Sequence, residues 1–250
     1  MMTFSVLLHD LDGKPTREDL ERACSNIPSI PSLDCIQILR SWYGIVRSGL
    51  SHADATALKA NLSLQKIGSD VVPDHEIPSL FEEIRCQRLS IHDEELFFAT
   101  SGSLSFQKSR SELVFISAGM FHHVKLNSVG RISPVELEVD PDGYVPWLDN
   151  QPERKLKKSV RFRIDFFFTS PPHRLSFVLD NGNMMFYGDR VIRLIKQLDL
   201  KILLSDLYQL LPPARLGHLL RKQSIDESYS DMHSYNEELR WAFYRLGARG

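Results

Sequence analysis

Short apolar runs alternate with amphipathic helical runs over the first third of the chain. Two helices are predicted there, one capped by Thr16 and one capped by Ser51. Four strands are predicted at residues 3–10, 34–39, 43–48 and 69–74. This β-α-β-β-α-β order predicts a ferredoxin-like domain over residues 1–78, with two helices on one face of a four-stranded antiparallel sheet.

The following segment, residues 80–190, is rich in strand-like runs. Its clearest alternation spans residues 160–168 and predicts a strand with one core face and one polar face. The core face carries Val160, Phe162, Ile164 and Phe166, and the polar face carries Arg161, Arg163 and Asp165. Asn181-Gly182 lies between two apolar runs, which predicts a β-hairpin. A polar stretch at about 127–158 is predicted to be a long surface loop.

The last sixty residues change to a helical pattern. Helices are predicted at residues 198–211, 214–222 and 234–247. Strands followed by helices are typical of the α+β class. We therefore expect a second domain at residues 79–250. It would be an antiparallel β-rich sheet or small barrel, such as a pleckstrin-homology-like barrel, closed by C-terminal helices.

Composition and charge narrow the functional classes. The chain has 250 residues, a net charge of −2 and an isoelectric point near 6.5, which disfavours nucleic acid as a partner. No apolar run approaches the roughly 18–20 residues of a membrane span, and the N-terminus lacks the pattern of a secretory signal. Three cysteines without C-x-x-C spacing are typical of small buried residues in a reducing compartment, so we expect a cytoplasmic protein.

One run in the first domain resembles a known segment. It reads YGIVRSGLSHADATALKANLSLQKIGSDVVPDHEIP and contains Gly44-Ile45-Val46, Gly49-Leu50-Ser51, Gly68 and Val71-Val72-Pro73. These features are similar to a segment that recurs in uncharacterised bacterial proteins. The resemblance covers about the first third of the chain. It implies a ferredoxin-like module without an assigned activity, and it transfers no catalytic residue.

The first strand runs into Asp10-Leu11-Asp12-Gly13, an order that resembles the first motif of haloacid-dehalogenase-like phosphatases. The resemblance implies a Mg²⁺-dependent enzyme with Asp10 as nucleophile and Asp12 as acid and base. Lys14 departs from the family pattern, because members of that family have a threonine after the glycine. The usual second metal carboxylate is also missing after Gly188-Asp189. An ordinary strand that ends in an Asp-Gly turn is therefore the favoured interpretation.

The densest positive charge in the chain lies at residues 153–163. Six basic residues follow Glu153 there: Arg154, Lys155, Lys157, Lys158, Arg161 and Arg163. If Arg161 and Arg163 share the polar face of a strand, the run is suited to phosphate groups or lipid headgroups. A solvated loop is the more common state of such a run.

Neither a complete catalytic set nor metal-ligand spacing among the nine histidines is present in the sequence, and no cofactor is predicted. We therefore expect a non-enzymatic binding or regulatory module that contacts a protein or a small ligand. The alternatives are a divergent phosphatase that uses Asp10 and Asp12, and an anion-binding protein that uses residues 154–163. The sequence leaves self-association open.

Overall fold

A computed structural model describes residues 2–11, 15–31, 34–40, 42–127, 136–137, 155–169, 171–180, 182–194, 197–222 and 229–247. The helices are α1 (Arg17–Cys24), α2 (Asp34–Arg40), α3 (His52–Leu64), α4 (Gln197–Tyr208), α5 (His218–Lys222) and α6 (Met232–Arg245). The strands are β1 (Phe4–Leu8), β2 (Ile45–Leu50), β3 (Ser69–Pro73), β4 (Glu83–Arg85), β5 (Arg88–Ile91), β6 (Glu95–Ala99), β7 (Ser105–Ser109), β8 (Leu113–Asn127), β9 (Glu136–Leu137), β10 (Lys155–Thr169), β11 (Pro172–Leu179), β12 (Met185–Tyr187) and β13 (Arg190–Ile192). The chain divides into unit 1 (residues 1–80 and 233–250) and unit 2 (residues 81–232).

Unit 1 is built on an antiparallel sheet in the order β2-β1-β3. Val6, Leu7 and Leu8 of the central strand are all buried, so both faces of β1 are covered. Both predicted caps are confirmed. Thr16 and Asp19 form a capping box at the start of α1, and the Ser51 hydroxyl accepts a hydrogen bond from the backbone N–H of Asp54 at the start of α3.

The predicted strand at residues 34–39 is wrong, because this run forms α2. The described order within residues 1–80 is therefore β-α-α-β-α-β with three strands, and the ferredoxin-like order is not found. Cys35 and Ile38 are both buried, and their spacing of three residues places them on one face of a helix. A short apolar run fits a buried helix as well as a strand, and here tertiary packing selects the helix.

The last helix, α6, belongs to unit 1, whereas the predicted second domain extended to residue 250. Its Trp241 ring lies directly over Gly44, where an added Cβ would come within 2.2 Å of the ring. The Trp241 indole Nε1–H donates to the carbonyl oxygen of Leu8 at 2.7 Å, and the Arg245 guanidinium donates to the same oxygen at 2.6 Å. These contacts attach α6 to the end of β1.

Unit 2 contains two five-stranded sheets that share one core. The first has the order β4-β11-β10-β8-β9, and the second has the order β13-β12-β5-β6-β7. Phe98 from the second sheet packs its ring against Phe166 and Phe168 from the first at centroid distances of 5.1 and 5.7 Å. Helices α4 and α5 add leucines to this core. The predicted β-rich segment and the predicted core face of residues 160–168 are confirmed.

Three details of the predicted second domain differ from the structure. The described strands close no barrel, since each sheet has two distinct ends. The loop predicted at 127–158 is wrong at its ends and at residues 136–137, because Asn127 ends β8, Glu136–Leu137 form β9, and Lys155–Lys158 belong to β10 and pair with β8. Residues 128–135 and 138–154 lie outside the described residues. The predicted hairpin is also wrong, since β11 and β12 belong to different sheets.

A local hydrogen-bond pattern accounts for the missing hairpin. The Asp180 carboxylate accepts hydrogen bonds from the backbone N–H groups of Gly182 and Asn183, each at 2.8 Å. This arrangement is an Asx turn. It directs the chain from the first sheet into the second, where β12 pairs with β13 and β5.

Candidate ligand-binding cavity

A cavity of about 460 Å³ lies in unit 1 between the end of α1 and the start of α2. Its wall is mostly apolar, and the cavity is partly open to solvent. Glu21, Ser25 and Asn26 contribute the polar side chains of the wall. The complete lining is Glu21, Cys24, Ser25, Asn26, Ile27, Pro28, Ile30 and Cys35. The volume lies within the usual range of small-molecule sites.

Local hydrogen bonds shape the loop that forms this wall. The Ser25 hydroxyl donates to the Arg22 carbonyl at 2.7 Å, so the last turn of α1 is capped. Asn26 then adopts a left-handed conformation with φ of 64°, which asparagine tolerates better than most residues. The backbone N–H of Ile30 donates to the Ile27 carbonyl at 3.0 Å, closing a turn. The buried side chains of Ile27 and Ile30 anchor the loop.

Helix α3 and strand β2 hold the two helices at the sides of the cavity. The Asn61 amide on α3 donates to the Ala23 carbonyl near the end of α1 at 2.8 Å. The Arg47 guanidinium on β2 donates to the Asp34 carboxylate at the start of α2 at 2.8 Å. Each contact joins residues that are distant in sequence, so the cavity depends on the tertiary fold of unit 1.

Cys24 and Cys35 are two buried thiols in the lining of the cavity. Each side chain is only 3% exposed, and neither takes part in a disulfide. Burial and the hydrogen bond with Cys35 raise the pKa of the Cys24 thiol to about 12. The negative charge of Asp34 acts in the same direction, and the positive charge of Arg47 opposes it. Cys24 therefore carries its proton at neutral pH.

The arrangement is suited to binding a small, mostly apolar molecule. The exposed apolar surface of Pro28, and the small exposed parts of Ile27 and Ile30, would leave water on binding, and such burial is the main favourable contribution in such sites. The Glu21 carboxylate, which also pairs with Arg17 at 2.7 Å, offers an acceptor for one donor group of a ligand.

The structure does not bring the two predicted catalytic aspartates together in a described site. Asp10 is exposed just beyond the end of β1, and Asp12 lies outside the described residues. No group of three or more histidine, cysteine, aspartate or glutamate side chains suited to a metal ion occurs among the described residues. The phosphatase hypothesis stays a prediction.

The predicted anion-binding run is divided between strand β10 and residues outside the description. Arg154 lies outside the described residues, whereas Lys155, Lys157 and Lys158 belong to β10. Arg161 is half-buried.

Arg163 differs from the expectation of an open polar face, because it is only 6% exposed and its guanidinium is already bound by carboxylates. It therefore does not share a solvent-facing surface with Arg161. The prediction for the remaining residues of the run is not tested.

A buried ionic cluster on the polar face of the first sheet of unit 2 holds Arg163. Asp165 is fully buried and accepts from the Arg163 guanidinium at 2.6 and 2.9 Å and from the Arg174 guanidinium at 2.9 and 3.3 Å. The Ser176 hydroxyl donates to the same carboxylate. Arg163 also contacts the Glu83 carboxylate at 2.9 Å. Two arginines and two carboxylates therefore face one another in this cluster, and Arg85 also pairs with Glu83.

The carboxylates of this cluster have lowered pKa values. Burial alone would raise the pKa of Asp165, but the charges and hydrogen bonds of Arg163 and Arg174 outweigh it and hold that pKa well below its ordinary value. The pKa of Glu83 is lowered in the same way, against burial, by Arg163 and Arg85. Both carboxylates are thus ionised at neutral pH, and the geometry of the cluster is that of a structural network.

Sequence reasoning missed both groups of residues for different reasons. It interpreted Cys24 and Cys35 as small buried residues, which is confirmed, but their separation of eleven positions gave no sign that they line one cavity. The sequence did show Arg163 and Asp165 on one face of a strand whose other face is aromatic. That arrangement was the signal that could have indicated a buried ion pair.

Comparison with known proteins adds no further assignment, because no protein family model, curated protein or solved structure matches this chain. The resemblance to uncharacterised bacterial proteins therefore stays a prediction. Within the part of the chain that the structure describes, no helix is long and apolar enough to cross a membrane.

Proposed function

We propose that unit 1 is a non-enzymatic binding module that takes a small, mostly apolar molecule in the cavity between α1 and α2. The observation that carries this proposal is the cavity itself, with about 460 Å³ of space and an apolar wall. Pockets of this size with a few placed polar groups are the usual form of small-molecule sites.

The ligand class follows from the wall. Ile27, Ile30 and Pro28 favour an aromatic or branched aliphatic body. The Glu21 carboxylate at the cavity favours a ligand with one N–H or O–H donor. An anionic ligand is disfavoured, since a carboxylate lines the cavity and Asp34 lies at the start of α2.

Indole is a suitable probe, because it combines an apolar ring with one N–H donor. Titration of the ¹⁵N-labelled full chain with indole should shift the amide signals of residues 21–35 and leave those of unit 2 in place. Absence of shifts in residues 21–35 at millimolar indole would contradict the proposal.

Two serine variants provide a matched test. Ser25 lines the cavity and is exposed, so Ser25→Phe should obstruct the opening and weaken indole binding by about tenfold. Ser29 is exposed in the same loop but does not line the cavity, and Ser29→Phe should bind indole as the wild type does. Equal binding by both variants would place indole elsewhere.

A second candidate function, anion binding by β8 and β10, is favoured by one observation. The antiparallel register places Lys157 directly opposite Lys125, and Lys125 also lies opposite Glu136 of β9. Like charges at directly opposed positions destabilise a sheet, and a bound anion would offset this repulsion. Lys155 and Lys158 add further positive charge to the same strand.

Retention on a heparin column tests this candidate. A variant with Lys125→Ser and Lys157→Ser should elute at a lower salt concentration than the wild type, because the protein then neutralises fewer anionic groups of heparin. Lys201→Ser, on the exposed side of α4, is the matched control. It should shift the eluting salt concentration by no more than half the shift of the double variant. Identical elution of all three proteins would exclude this function.

A further inference from the structure

We propose that Cys24 and Cys35 form a dithiol–disulfide couple that a peroxide oxidises from the cavity in unit 1. This inference goes beyond ligand binding, and only its last step, the effect of oxidation on the ligand, rests on the proposed function. The two residues would then be an oxidation site in addition to members of the hydrophobic core.

The position of the two thiols supports the couple. Cys24 is the last residue of α1 and Cys35 is the second residue of α2, so ten residues, 25–34, separate them in the sequence. Both side chains are buried in the lining of the same cavity, and an interaction with Cys35 contributes to the raised pKa of Cys24. A disulfide requires two sulfur atoms that can come into bonding contact, and Cys24 and Cys35 line the same cavity.

The cavity gives a small oxidant a route to these buried thiols. Both cysteines line it, although each is almost fully buried from bulk solvent. Hydrogen peroxide is small enough to enter a cavity of about 460 Å³, whereas a protein oxidant has no comparable access. The site therefore selects for a small peroxide.

The reaction has two balanced steps. In the first, the sulfur of one cysteine gives up its proton and attacks a peroxide oxygen, the O–O bond breaks, and a sulfenic acid forms while the released proton and hydroxide combine to one water. In the second, the sulfur of the other cysteine attacks the sulfenic sulfur, the S–S bond forms, and a second water leaves with the remaining thiol proton. Two electrons pass from the dithiol to the peroxide.

The new bond would change the cavity. A disulfide holds its sulfur atoms about 2.05 Å apart, which is shorter than any contact between two thiols. Its formation would draw the end of α1 towards the start of α2 and fix the loop that carries Ile27 and Ile30. The oxidised unit should therefore be more stable and its cavity narrower.

Cys86 provides an internal control within the same chain. It is a buried, unpaired cysteine of unit 2, and burial raises the pKa of its thiol to about 12, as for Cys24. Its sulfur contacts the Ile84 carbonyl at 3.8 Å, and Cys86 does not line the cavity in unit 1. Cys86 should remain a thiol under conditions that oxidise the pair.

The test is oxidation of the reduced full chain by hydrogen peroxide, followed by mass spectrometry. We expect the intact mass to fall by two hydrogen atoms and a peptide map to show Cys24 linked to Cys35. Cys86 should still react with iodoacetamide after unfolding. Dithiothreitol should restore three thiols. Three thiols after peroxide treatment, or sulfinic acid at Cys24 without a crosslink, would overturn the proposal.

Thermal unfolding and one variant complete the test. The oxidised wild type should melt at a higher temperature than the reduced protein, and Cys86→Ser should show the same rise. Cys35→Ala should show no rise, and its mass should not fall. Because Cys35→Ala could prevent folding, the crosslink map of the wild type decides the result without it.

Indole titration of both redox forms separates this inference from the proposed function. Weaker binding by about tenfold in the disulfide form would support control of the cavity by oxidation. A crosslink with unchanged indole affinity would support the couple and contradict its control of the cavity. If indole binds neither form while the crosslink forms, the proposed function fails and the couple stands.

Discussion

The buried carboxylate of Asp165 gives the sharpest prediction for stability. Asp165→Asn keeps the shape of the side chain and removes its charge. The wild-type carboxylate accepts four hydrogen bonds from Arg163 and Arg174 and one from Ser176. Asparagine has one oxygen acceptor, and its amide N–H₂ would point at guanidinium donors. Arg163 would keep its contact with Glu83, but both arginines would lose the negative charge of Asp165.

The expected loss can be estimated from this geometry. Each arginine contacts Asp165 at less than 3 Å in a fully buried position, where removal of one partner costs about 3–5 kcal/mol. A domain of this size has a total free energy of unfolding of about 5–15 kcal/mol. The substitution should therefore remove a large fraction of the stability of unit 2.

Urea unfolding followed by circular dichroism at neutral pH measures this loss. Asp189→Asn is the matched control, because Asp189 is an exposed aspartate of the same unit. We expect the control to change the free energy of unfolding by less than about 0.5 kcal/mol. A loss below about 1 kcal/mol for Asp165→Asn would refute the interpretation of the cluster as a stabilising ion network.

The same variant tests the effect of pH. The pKa of Asp165 is lower in the folded chain than in the unfolded chain, where it is about 3.9. Its contribution is therefore fully present above about pH 5 and is lost as the pH falls below 4 towards the folded pKa. The wild type should lose stability over this range more steeply than Asp165→Asn. Parallel curves for the two proteins would contradict the lowered pKa.

Two further predictions concern unit 1. Gly44→Ala should lower the free energy of unfolding by about 3 kcal/mol or more, because its φ of 100° is strained for alanine and the new Cβ would meet the Trp241 ring. Gly49→Ala is the control, with φ of 75° and open space around it, and should lower that free energy by only about 1–2 kcal/mol. Equal melting temperatures for the two variants would contradict the contact with Trp241. Thr16→Ala should lower the free energy of unfolding by about 1 kcal/mol, because it removes the capping box of α1. Thr16→Ser keeps a capping hydroxyl and should melt at the wild-type temperature. An unchanged melting temperature for Thr16→Ala would show that the cap does not stabilise the protein.

Local signals in the sequence were sufficient for several elements. Thr16 and Ser51 cap helices through hydrogen bonds to residues three positions away, so the necessary information lies within one turn. The alternation from Val160 to Phe166 marks a core face because successive side chains of a strand point to opposite sides.

Other features depend on which surfaces meet, and the sequence pattern alone did not predict them. The apolar run at residues 34–39 fits either a strand or a helix, and the burial of Cys35 and Ile38 on one side decides for α2. The polar face of β10 was expected to contact solvent, but Arg163 and Asp165 are buried there because they neutralise each other with residues of neighbouring strands.

The sequence by itself determined the helix caps, the β-rich middle segment, the core face of β10 and the helical end of the chain. Only the tertiary structure decided that α6 joins unit 1, that Cys24 and Cys35 line one cavity, and that Asp165 joins two arginines. The physical reason is range. Caps and periodicity act between residues a few positions apart, whereas cavities and buried ion networks form between surfaces that are brought together by packing.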